Sequence, residues 1–200
     1  MRIFVLFIFL SSCIVQNPTD PKNDPTPGDA NGTKDTSALQ TIYDFPEQGR
    51  GKWRVQDDVV MGGRSDSKFV MTDDGNGRFF GKVSLENNGG FCSVQHTTND
   101  NPFVVKGKSA FSVQVNGDGK DYNFRVRTPN GRHAYNYTFQ TKGDKWETVL
   151  IPFDAMKATF HGESVDVPNY AGEDIREIQI LIGNKKAETF ELLLMNISAM

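Results

Sequence analysis

Three consecutive runs in the middle of the chain alternate apolar and polar residues with a period of two. Phe111, Val113 and Val115 alternate with Ser112, Gln114 and Asn116. Tyr122, Phe124 and Val126 alternate with Asn123, Arg125 and Arg127, and Tyr135, Tyr137 and Phe139 with Asn136, Thr138 and Gln140. Successive side chains of a strand point to opposite faces, so each run reads as a strand with one buried and one open face. The turn-forming stretches Asn116-Gly-Asp-Gly119 and Pro129-Asn-Gly131 separate them. Residues 41–45, 52–56, 78–85, 146–152, 175–182 and 189–197 read as further strands, 153–158 as a helical turn and 159–174 as a long connection. About ten short strands with no long amphipathic helix predict an all-β domain, a two-sheet β-sandwich of jelly-roll type, with a closed barrel as the alternative.

A second feature shapes one region of that domain. Asp58-Val-Val-Met-Gly-Gly-Arg-Ser65 is echoed by Glu86-Asn-Asn-Gly-Gly-Phe-Cys-Ser93. Each half sets a glycine pair, Gly62–Gly63 or Gly89–Gly90, between an apolar or amide run and a small hydroxyl residue. Glycines pack nothing in a strand and cost backbone entropy, so adjacent pairs mark sharp bends or close approach of another group. In a functional reading Asp58, Arg64 and Asn88 surround a ligand. In a structural one, which we favour, Asp58 and Asn88 hydrogen-bond loop amides and hold the two turns together. Met61 and Ser65 complete the motif, and Arg64 can pair with Asp58 or Glu86. No other internal repeat is visible, which argues against a propeller or solenoid.

The chain of 200 residues carries a net charge of −3, which gives nucleic-acid binding no electrostatic support. It starts with Arg2 and a short apolar run, then Leu10-Ser-Ser-Cys13. A charged start and an apolar core too short to span a bilayer read as a secretory signal. An aliphatic residue, two small residues and a cysteine read as a bacterial lipobox. Residues 1–12 are thus expected to be a signal peptide, with Cys13 lipidated and the chain held in the bacterial envelope, periplasmic or surface-exposed. Residues 13–38 hold four prolines, four aspartates and no aromatic ring, the composition of an anchor and disordered tether. Residues 39–200 form the expected sandwich domain. With Cys13 lipidated, Cys92 has no disulfide partner, and beside Phe91 and Val94 it reads as a small buried hydrophobe.

Several motifs together resemble one family. Trp53, Asp58-x-Val-Met-Gly-Gly-Arg-Ser65 and Phe80-Gly-Lys-Val-Ser-Leu-Glu-Asn-Asn-Gly-Gly-Phe-Cys-Ser93 are similar to the complex I intermediate-associated protein family. So are Gly117-Asp-Gly119 with Tyr122, Trp146, Ile151-Pro-Phe153 and Phe190-Glu-Leu192 with Ile197. The resemblance covers roughly residues 41–199. It implies a galactose-binding-like sandwich, similar to family eleven carbohydrate-binding modules, that binds without catalysis. It also implies an assembly or chaperone-like role, as in the mitochondrial member that assists the respiratory NADH:ubiquinone oxidoreductase.

The residues offer little for catalysis. His96, His133 and His161 are scattered, and no HxxxH, CxxC or GxSxG spacing is present. No metal and no cofactor are expected, and the Asp73-Asp-Gly-Asn-Gly77 stretch reads as a plain hairpin turn rather than a calcium loop. For binding, the strand alternation leaves Asn123, Arg125, Arg127, Asn136, Thr138 and Gln140 on one outward face, joined by Phe91, Ser93 and Gln95. Amides, guanidiniums and one ring suit a polyhydroxylated ligand. A solvated sheet face is the plainer alternative. In the related sugar-binding modules this face is the concave one. The expectation is therefore a monomeric, non-catalytic binding module: an assembly or chaperone-like factor with a protein partner, or alternatively an envelope carbohydrate-binding module.

Overall fold

The computed structural model describes residues 39–98 and 101–200. The signal-like start, the lipobox with Cys13 and the tether lie outside the described residues. Thirteen strands follow in order: β1 (Gln40–Asp44), β2 (Arg54–Val55), β3 (Asp66–Met71), β4 (Gly77–Val83), β5 (Cys92–Thr97), β6 (Ala110–Gly117) and β7 (Asp121–Arg127). Then come β8 (Ala134–Gln140), β9 (Trp146–Pro152), β10 (Lys157–Phe160), β11 (Glu163–Ser164), β12 (Glu177–Ile182) and β13 (Glu188–Ala199). They form two antiparallel sheets. The first runs β3-β4-β13-β6-β9, with β1 also paired to β13, and the second runs β11-β10-β8-β7-β12-β5-β2.

The alternating runs sort as the period of two requires. Phe111, Val113 and Val115 face Tyr122, Phe124 and Val126 across the sandwich, and all six are fully buried. Aromatic rings fill the space between the sheets: Phe111 lies 5.0 Å from Phe124 and Tyr122 lies 6.4 Å from Phe190, centroid to centroid. A second aromatic group, Tyr43, Phe45, Trp53, Phe69 and His96, closes one end of the core. Burial of these side chains contributes roughly 1.5–3 kcal/mol each. Among the described residues no helix is long and apolar enough to cross a membrane.

Three segments differ from the sequence reading, the first being β3 (Asp66–Met71), which is not among the expected strands. The turn after β9 is a single 3-10 turn, Phe153–Ala155, and after Met156 the chain forms β10, with Lys157 opposite Asn136 and Ala158 buried opposite Tyr135. Part of the 159–174 stretch pairs as β11. Such short strands carry too few alternations to stand out before their partner is known. The Asp-rich stretch closes the β3–β4 hairpin: Asn76 N donates to Thr72 Oγ1 at 3.0 Å, and Asp73 and Asp74 are exposed.

Candidate binding face

The glycine-pair motif folds around two adjacent acids. Asp58 is fully buried. Its Oδ1 accepts from Ser65 N at 3.0 Å, and its Oδ2 accepts from Ser65 Oγ at 2.5 Å, Gly90 N at 2.6 Å and Phe91 N at 3.2 Å. Asp57 does the same one step along. It accepts from Ser67 N at 2.8 Å, Ser67 Oγ at 2.7 Å and Ser93 N at 3.2 Å. Ser67 belongs to β3 of the first sheet and Ser93 to β5 of the second, so the acid pair ties the sheets together. Burial raises both carboxyl groups. For Asp58 the hydrogen bonds from Ser65, Gly90 and Phe91 outweigh burial and hold it below its ordinary value. For Asp57 burial wins, with a small addition from Asp58, and its pKa is raised.

The glycines make room for this arrangement. A Cβ on Gly63 would overlap Asp58 Oδ1, and one on Gly89 would lie 2.6 Å from Asp58 Oδ2. Asn87, rather than Asn88, crosses between the turns, donating from Nδ2 to Gly62 O at 3.3 Å. Asn88 is exposed with φ +60. Arg64 pairs with Glu86 at 3.5 Å, both well exposed, and not with Asp58. Met61 is exposed, and Phe91 is half-buried at the entry to β5 with its amide on Asp58. The motif acids are thus turned to protein donors, and the motif supports a neighbouring face.

That face is the outer side of the second sheet. Strand register sets Arg54, Gln95, Gln179, Arg125, Asn136 and Lys157 side by side across β2, β5, β12, β7, β8 and β10. A second row holds Ser93, Leu181, Asn123 and Thr138, and a third Thr97, Glu177 and Arg127. The middle is recessed, with Gln95 4%, Gln179 7% and Glu177 8% exposed, although they point away from the core. Buried amides must find partners. Arg125 Nη1 donates to Gln179 Oε1 at 3.0 Å, Gln179 Nε2 donates to Ser93 Oγ at 3.0 Å, and Ser93 Oγ donates to Gln56 O. Turned to satisfy its neighbours, the Gln95 amide accepts from Arg54 Nη2 at 3.0 Å and donates to Gln56 Oε1 at 3.2 Å. Asn123 Oδ1 accepts from Asn136 Nδ2 at 3.1 Å and Thr138 Oγ1 at 2.7 Å. Arg127 lies 3.5 Å from Glu177. Gln140 sits at the rim opposite Asp121.

Sequence reasoning placed Asn123, Arg125, Arg127, Asn136 and Gln140 on one face, and the structure puts them there. It missed Arg54, Gln179, Glu177 and Lys157. Glu177, Gln179 and Leu181 alternate with Ile178, Ile180 and Ile182, and that alternation was the available signal. Asp57 was also missed, although it directly precedes the motif's Asp58.

The chemically reactive side chains lie apart. Cys92 is fully buried, and burial with the nearby Asp57 pushes its thiol up to about 12, so it is a thiol rather than a nucleophilic thiolate. His96 packs among Tyr43, Trp53 and Phe103, His133 against Tyr135 and His161 against Phe160. Among the described residues no three His, Cys, Asp or Glu are placed to hold a metal ion.

Solved structures with this architecture include carbohydrate-binding modules. A family 11 module from Clostridium thermocellum, in complex with a β-1,3-1,4-mixed-linked tetrasaccharide, superposes with a TM-score of 0.59 at 16% identity, covering 81% of this chain and 95% of that one. The family 11 module of the cellulosomal cellulase Lic26A-Cel5E from the same organism also gives 0.59 at 16%, over 82% and 94%. A family 29 module gives 0.50 at 9%, over 82% and 92%. At these identities the likeness is one of fold: a two-sheet β-sandwich of jelly-roll type. No curated protein matches the sequence. The family model described as Complex I intermediate-associated protein 30 matches residues 43–194, and with three quarters of its length aligned the chain belongs to that family.

Proposed function

We propose that this protein is a non-catalytic binding module whose outer face on the second sheet takes a glycan, and that lipid on Cys13 holds it to a membrane of the bacterial envelope. One observation carries the first part. Six planar or cationic side chains, Arg54 to Lys157, form an unbroken row across six adjacent strands, recessed at its centre. Planar amides and guanidiniums present fixed pairs of donors and acceptors, which match vicinal hydroxyls. The hydrogen bonds within the row hold them in place before a ligand arrives, which lowers the ordering cost of binding. The sugar-binding modules of the same fold are consistent with this reading.

A glycan array with the full chain carrying Cys13→Ser tests it. The expected result is a defined set of glycans whose signal drops at least tenfold with Arg125→Gln. An array with no signal overturns the reading. The same Cys13→Ser change is expected to release the protein from membranes, and persistent membrane association counts against the anchor. A second reading, an assembly or chaperone-like factor, is favoured by family membership and by the exposed apolar tip Val59–Met61. Reproducible co-purification of one envelope protein, lost on changing that tip, is its expected signature.

A further inference from the structure

The recessed face carries more positive charge than its surroundings require. Arg54, Arg125, Arg127 and Lys157 stand on it against two carboxylates, Glu177 and, at the rim, Asp121. The excess of two cations lies on a chain whose net charge is −3. Glu177 is engaged by Arg127 and accepts from Thr97 Oγ1 at 3.2 Å. Arg125, at the centre of the floor, makes its hydrogen bond to a neutral amide, Gln179, and its Nε is buried with no partner. A half-buried guanidinium without a carboxylate is unusual, because removing charge from water costs free energy that a counter-charge normally offsets. Burial, then repulsion from Arg127, lowers the Arg125 pKa, with Glu177 opposing. The three rows hold no aromatic ring and one apolar side chain, Leu181, with Phe91 half-buried at the edge of the face where the chain enters β5. A face built to hold neutral sugars offers rings to cover their apolar sides, whereas this one offers cations and amides.

We infer that the ligand of this face is an anionic glycan, one bearing carboxylate or sulfate groups, with Arg125 meeting an acidic group at the centre and Arg54 and Lys157 meeting its neighbours at either end of the row. This inference rests on the glycan reading above and narrows it. Its anion supplies the counter-charge that the protein leaves out at Arg125. The row spans six strands, about 24 Å at ordinary strand spacing, enough for several sugar units in line.

Matched pairs separate the possibilities. Binding of the full chain carrying Cys13→Ser is measured by calorimetry against polygalacturonate and its carboxyl-reduced form, and against dextran sulfate and dextran. The expected result is at least tenfold tighter binding of one charged member than of its neutral partner, weakening as salt is raised. Preference within the first pair identifies carboxylate as the recognised group, and within the second pair sulfate. Arg125→Gln and Lys157→Gln should each weaken that binding on the order of tenfold, as expected for a charge-assisted contact. Lys157 is exposed at the end of the row, so its variant reads out binding even if Arg125→Gln unfolds. Lys68→Gln, on the outer face of the first sheet, should change nothing. Equal binding of charged and neutral partners overturns the inference and leaves the glycan reading standing. Loss of binding in Lys68→Gln to the same extent also overturns it, since that is attraction without a site. No binding to any of the four, together with an empty glycan array, removes both.

Discussion

Asp58 and His96 are buried titratable side chains whose environments act in the same direction on acid stability. Asp58 has a folded pKa below its ordinary 3.8, because four hydrogen bonds to the carboxylate outweigh burial. A depressed acid binds fewer protons folded than unfolded. Its contribution is therefore complete above 3.8 and lost as pH falls through the lower folded value. His96 also has a depressed pKa, first from burial and then from Lys52, so its contribution is complete above 6.5 and lost as pH falls through its folded value. Asp57 runs the other way: its raised pKa favours the protonated form, giving stability that is complete below 3.8 and lost as pH rises through the folded value. Urea unfolding across pH should show stability falling in two steps on acidification. His96→Phe keeps the ring contacts with Tyr43, Trp53 and Phe103, and His96 Nδ1 has no partner to lose. That variant should flatten the step below pH 6.5. A wild-type profile already flat there sinks the assignment. Asp58→Asn, which sets an amide N–H against a backbone donor, should cost about 3 kcal/mol at neutral pH.

The two glycine pairs show how one sequence pattern serves two physical needs at the level of the turn. Gly62 ends its 3-10 turn with φ +93, a conformation that side chains resist, while nothing lies within 4 Å of its would-be Cβ. Gly63 has no such φ, but a Cβ there would overlap Asp58 Oδ1. In the echo the order is reversed: Gly89 supplies room beside Asp58 Oδ2 and Ser84 O, and Gly90 takes φ +147. Gly62→Ala should therefore cost roughly 1 kcal/mol of backbone strain. Gly63→Ala should cost more, about 2–4 kcal/mol, because Asp58 must leave hydrogen bonds it cannot replace. Chemical denaturation of the two single variants decides it, and equal losses count against the room argument. Sequence alone revealed that these turns belong together. It also pointed to Asp58 as the group that holds them through loop amides, but not to which amides, because Ser65, Gly90 and Phe91 look like ordinary turn residues until the backbone brings them to its carboxylate.

For the molecule as a whole, what was legible depended on distance along the chain. The faces of β7 and β8 could be read because these strands are consecutive and their alternation is local. The row through Gln95, Gln179 and Arg125 could not, since β5, β12 and β7 are neighbours only after a long-range crossover. The finished molecule presents two separate surfaces. One is the polar row. The other is the tip formed by Val59, Val60 and Met61, 58%, 72% and 66% exposed. The fully buried Asp58 holds the base of this tip, so its apolar side chains stay out of the core. Contiguous exposed apolar residues on a rigid base are where interaction surfaces form. Because Val60 and Met61 are mostly exposed, a double change Val60→Ser and Met61→Ser should shift stability by no more than about 0.5 kcal/mol. It should also leave glycan affinity within roughly twofold, since none of its residues belongs to the row. Arg125→Gln should do the converse, weakening glycan binding while leaving any protein partner in place. If the tip change abolishes glycan binding in a protein that melts normally, the ligand does not sit where the row predicts. The tip would then be the binding surface, and the buried acids beneath it its support.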